Sequence, residues 1–86
     1  MSAEQIRLVK LSHQADELGS AGKLEAARIK IIDGFELAAK IESEPFFYFF
    51  QGELDYLDEH LLAATENYRK ACELLPQNAL MARGLG

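Results

Sequence analysis

The chain has 86 residues, 49% of them hydrophobic and 27% charged, with only six glycines and two prolines. That composition belongs to a folded globular protein and excludes a disordered or collagen-like one. A chain of this length carries one domain, residues 1–86, which buries about 63% of the surface it exposes when unfolded. Nine Lys and Arg against fourteen Asp and Glu leave a net charge of −5, which repels phosphate backbones and anionic lipid, so neither nucleic acid nor a membrane is an expected partner.

The single cysteine, Cys72, closes no intramolecular disulfide and makes no Cys-rich zinc site, as in a reducing compartment. Residues Met1 to Val9 lack a basic patch followed by an apolar stretch. No run approaches the roughly eighteen apolar residues of a membrane span, and the expectation is a soluble cytoplasmic protein.

In the first segment Leu8, Leu11, Ala15 and Leu18 recur at steps of three and four, with Arg7, Lys10, Gln14 and Glu17 between them. This spacing predicts an amphipathic helix. Ser2 followed by Gln5 offers a capping box and a start near residue 3, and Gly19, Ser20 and Gly22 predict a turn. A second helix runs from Leu24 through Ala27, Ile31, Gly34 or Phe35, Ala38 and Ile41. A further stripe of Ile29, Ile32 and Leu37 widens its apolar surface, predicting contact with two neighbours. Residues 42–45 form a connector. The third helix, from about Pro45 to Leu57, opens with Phe46, Phe47, Tyr48, Phe49 and Phe50, five aromatics that no single helical face holds. Leu61, Ala64, Tyr68, Ala71 and Leu75 mark a fourth helix, flanked by Leu62, Cys72 and Leu74, with Asp58 as the expected N-cap and Pro76 as its end. The tail, 79–86, has room for one further helical turn.

Sliding the sequence by 37 residues places Leu24 on Leu61, Ala27 on Ala64, Ile31 on Tyr68, Gly34 on Ala71 and Leu37 on Leu74. Two helix-turn-helix units of this length predict an all-α fold of two stacked antiparallel helical hairpins. The first spans about 8–44 and the second about 45–78. Ala27, Gly34, Ala64 and Ala71 are small enough to let neighbouring helices approach to about 8–10 Å.

In the second unit Tyr48, Gly52, Leu61, Ala64, Tyr68, Ala71 and Pro76 occupy the places of the Trp, Gly, aromatic, Ala, Phe, Ala and Pro of the tetratricopeptide repeat pattern. In the first unit Leu11, Ala15, Leu18, Gly22, Leu24, Ala27, Ile31 and Gly34 do so. The chain resembles that family over roughly residues 8–76. It departs from the pattern at Asp55, which replaces a Tyr, at Glu59, which replaces the turn glycine, and in three extra residues per period. The resemblance implies that the first helix of each hairpin lines a concave groove. Its walls would be Val9, Ser12, Asp16, Gly19 and Ser20 from the first unit, and Phe46, Phe49, Glu53, Tyr56 and Leu57 from the second. Such a groove is aromatic at one end, acidic along its length and without Lys or Arg clusters, which favours a basic or amphipathic protein segment as partner.

Other chemistry-bearing residues have plainer readings. His13 sits near Asp16 and Glu17, and His60 beside Asp58 and Glu59, where solvated surface histidines are the ordinary outcome. Cys72 lies among Ala71, Leu74 and Leu75 as a small hydrophobe with no base at hand. No nucleophile, phosphate loop or metal motif is present, so neither enzymatic activity nor a cofactor is expected. The expected function is a small interaction module, adaptor or chaperone-like, and the alternative is a structural subunit that homodimerises through its uncovered hairpins.

Overall fold

The computed structural model describes residues 2–75. They form four helices and no strand: α1 (Ala3–Ser20), α2 (Leu24–Lys40), α3 (Glu44–Leu57) and α4 (Leu61–Leu74). The expected fold class is therefore the observed one. Pro76 and the 79–86 tail lie outside the described residues. The Ser2 hydroxyl accepts from the Gln5 N–H at 3.1 Å while the Gln5 side chain accepts from the Ser2 N–H at 3.0 Å. Two backbone donors that the first helical turn leaves open are thereby satisfied.

All three connections are the same three-residue turn. At the first, the Gly22 N–H donates to the Gly19 carbonyl and the Lys23 N–H to that of Leu18. Glu42 and Ser43 repeat this with Ala39 and Ala38, and Glu59 and His60 with Tyr56 and Asp55. This is the Schellman arrangement, which closes the last carbonyls of a helix and needs a left-handed residue in its middle. Gly22 (φ 78°), Glu42 (φ 56°) and Glu59 (φ 63°) take that place. The third residue of each turn, Lys23, Ser43 or His60, is also the N-cap of the next helix. The expected connector of 42–45 is thus 41–43, because Glu44 and Pro45 already belong to the first turn of α3. Asp58 is the C-cap of α3 and not the N-cap of α4. A carboxylate two residues too early cannot reach the first free N–H groups of α4.

Gly suits the left-handed region and Glu does not. Glu59→Gly is accordingly expected to stabilise the protein by about 0.5–1 kcal/mol, a rise in Tm of roughly 2–8 °C for a domain of this size. A thermal melt with no rise would contradict the assigned turn.

Such short turns fold each helix back on the one before it. Packing therefore runs α1 on α2, α2 on α3 and α3 on α4. The core holds Leu8, Leu11 and Ala15 of α1, Ile31 and Ala38 of α2, Phe46, Phe49 and Phe50 of α3, and Ala64, Tyr68 and Ala71 of α4. The 37-residue correspondence extends to burial: Ala27 and Ala64, Ile31 and Tyr68, Gly34 and Ala71, and Ser12 and Phe49 are all buried. Two glycines mark the closest approaches. A Cβ on Gly34 would meet the ring of Phe50 at 2.5 Å, and one on Gly52 would meet the ring of Tyr68 at 2.9 Å.

The second stripe expected on α2 is only partly inside. Leu37 packs against the core, but Ile29 and Ile32 are 59% and 37% exposed. Two residues of helix turn a side chain by about 200°, so Ile29 points away from the face that Ala27, Ile31, Gly34 and Ala38 bury. The second neighbour of α2 is α3, which covers the flank carrying Phe35.

Candidate partner-binding surface

The aromatic run divides between two places. Phe46, Phe49 and Phe50 point inward, and their rings form a chain with Tyr68: Phe46 to Phe50 at 6.5 Å, Phe50 to Phe49 at 5.4 Å and Phe49 to Tyr68 at 5.8 Å. Phe47 and Tyr48 fall on the flanks of α3 and stay half-buried. Phe47 packs at a tilt against Phe35 of α2 at 4.6 Å and meets Tyr48 edge-on at 5.7 Å. The ammonium of Lys70 on α4 lies 5.3 Å from the centre of the Tyr48 ring, a cation–π contact.

The groove implied by the resemblance needs correction on this point. Phe46 and Phe49 are 2% and 0% exposed and offer no surface to a partner, because α3 is flanked by both α2 and α4 and its apolar residues fill both contacts. Ser12, from the first unit, is likewise 1% exposed. Of the remaining positions, Val9 and Leu57 are half-buried against the core, and Asp16, Gly19 and Glu53 are half-buried while Ser20 is exposed. Tyr56 is 61% exposed. Asp16 and Glu53 are equivalent under the 37-residue shift, and so are Gly19 and Tyr56. The acidic character of the first helices thus recurs at one register position in both hairpins.

Polar ties hold the second hairpin in place. Asn67 of α4 donates to the Asp55 carboxylate at 2.7 Å, so Asp55 joins α3 to α4 by a hydrogen bond. Arg28 of α2 pairs with Asp58 in the α3–α4 turn at 2.5 Å, and Arg69 pairs with Glu66 on α4. The hydrogen bond from Arg28, and then the positive charges of Arg28 and His60, hold the Asp58 carboxyl below its ordinary value against the opposing effect of partial burial. A carboxyl whose folded-state pKa is lowered contributes stability that is fully present above the unfolded value, near 3.8, and is lost as pH falls through the folded value. Asp58→Asn is expected to lower the urea midpoint slightly at neutral pH, with the difference fading below about pH 4. An equal difference at neutral and at acid pH would show that the ion pair contributes nothing.

A further feature escaped the sequence reading. Where α2 turns into α3, Ala38, Ala39, Glu42, Ser43, Glu44 and Phe47 line an open depression of about 500 Å³. Phe35 packs against the Phe47 ring. The signal available in the sequence was Glu42-Ser43-Glu44 next to an aromatic run, but only the turn brings the last residues of α2 over the first of α3.

His13 and His60 are exposed and Cys72 is half-buried against the core. Among the described residues, no three His, Cys, Asp or Glu side chains are grouped to hold a metal ion, and no helix is long and apolar enough to cross a membrane. Comparison with protein-family models, with curated proteins and with solved structures finds no match.

Proposed function

We propose that the chain is a small cytoplasmic protein–protein interaction module of tetratricopeptide type, adaptor or chaperone-like, that holds a basic or amphipathic segment of a partner. The observation that carries this reading is the apolar surface left uncovered by four helices: Tyr56, Leu61 and Leu62 are 61%, 57% and 88% exposed around the α3–α4 turn. Exposed apolar groups on a chain with a net charge of −5 suit a partner segment with one apolar and one basic face. The contact surface in this reading is Val9, Asp16, Glu53, Tyr56 and Leu57, continued at the α3–α4 turn by Leu61 and Leu62, with Phe46 and Phe49 as its buried support.

Fluorescence anisotropy with a labelled amphipathic helical peptide tests it, using lysine and arginine on the polar face in one version and glutamate in the other. The basic peptide is expected to bind, more weakly as salt rises, and Tyr56→Ala to weaken it without changing the thermal melt. Equal binding of both peptides, or of neither, would overturn the reading.

A second reading is favoured by Ile29 and Ile32, which leave an apolar strip on the outer side of α2. In it two copies join through that strip as a homodimer. Light scattering distinguishes the two: a dimer mass that Ile29→Glu returns to monomer supports self-assembly, and a monomer at high concentration excludes it.

A further inference from the structure

We infer that the depression at the α2–α3 corner is a docking pocket for an arginine side chain presented by a partner protein. The inference shares the proposed preference for basic partners but places a contact at the opposite end of the helices from Tyr56. Arginine combines a flat cation with an apolar stem, and the corner is complementary to both. Its apolar lining comes from Ala38, Ala39 and Phe47, and the Phe47 ring is half-buried and packed against Phe35 at 4.6 Å. A fixed aromatic ring is a stacking surface for a guanidinium. Its polar lining includes Glu42 and Glu44, both exposed, and no cation lines the pocket. Neither carboxylate has a hydrogen bond or ion pair among the described residues. The contrast with Asp58 is direct, since that turn carboxylate is already occupied by Arg28.

The backbone gives the test a second readout. Glu42 occupies the left-handed position of its turn at φ 56°, where the first turn of the chain has glycine. A glutamate there costs stability that glycine would restore, as it does at Glu59. Stability and binding should therefore move in opposite directions at this position.

The probe is n-hexylguanidinium, with guanidinium and n-hexanol as charge-only and apolar-only controls, followed by amide chemical-shift changes in the full chain. The expected result is a saturable shift confined to residues 38–47 with hexylguanidinium and much weaker shifts with either control. Glu42→Gly should raise the Tm and weaken the probe by about two- to fivefold, the loss expected for one exposed ion pair. Glu59→Gly, the same change in the same turn type away from the corner, should raise the Tm and leave the probe affinity unchanged. Shifts scattered over the acidic surface, or an undiminished affinity in Glu42→Gly, would overturn the inference. Saturable shifts around Tyr56 with none at 38–47 would also overturn it while leaving the proposed function standing. Shifts at the corner alone, with no binding of the basic peptide, would uphold the pocket and count against the groove.

Discussion

Gly34→Ala is expected to destabilise the protein by about 1–3 kcal/mol, although alanine is the better helix former by about 1 kcal/mol. The added methyl would sit 2.5 Å from Cε1 and Cζ of Phe50. That ring is fully buried and bounded by Phe46 and Phe49, so it cannot swing aside, and α2 and α3 must separate instead. Gly19→Ala is the control. Nothing lies within 4 Å of a Cβ there, and the same change should stabilise α1. Combining Gly34→Ala with Phe50→Leu should cost less than the sum of the two single changes, because the smaller side chain vacates the space. Urea unfolding of the four variants gives the coupling. A Gly34→Ala protein as stable as the wild type would contradict the close approach of α2 to α3.

Phe49→Ala is expected to cost more, about 3–5 kcal/mol, a large share of the total stability of about 5–15 kcal/mol for a domain. Phe49 joins the ring chain of α3 to Tyr68 of α4, so its removal opens a cavity between the second pair of helices. The loss should appear in the unfolding midpoint. Tyr56→Ala, at an exposed position, should leave the midpoint nearly unchanged. A Phe49→Ala protein with unaltered stability but impaired peptide binding would restore Phe49 to the groove.

The helices α1, α2 and α4 were legible because Leu8, Leu11 and Ala15, Ala27, Ile31 and Ala38, and Ala64, Tyr68 and Ala71 keep one spacing over several turns, and burial alone fixes which side of each helix they share. The capping box at Ser2 and Gln5 was legible as a local pattern. The left-handed glutamates were not. Residue type reveals a left-handed position only when glycine fills it, as at Gly22, and Glu42 and Glu59 adopt it because a three-residue turn between packed helices permits nothing else. Without those turns the N-cap of α4 was assigned to Asp58, two residues early. The division of residues 46–50 was also hidden, since periodicity lists two possible faces for α3 and only the positions of α2 and α4 decide which rings are enclosed. Asp16 and Glu53 were named only as what the family resemblance implies for a groove, whereas nothing in the sequence brings Glu42, Glu44 and Phe47 together at one corner.

The reuse of one three-residue turn also bears on how quickly the chain reaches its native state. Because each helix meets chiefly the helix next to it in sequence, few native contacts require distant parts of the chain to find each other, and the entropy of loop closure stays small. Folding in microseconds to milliseconds is the consequence for a low-contact-order helical protein. Either hairpin can serve as the place where it begins.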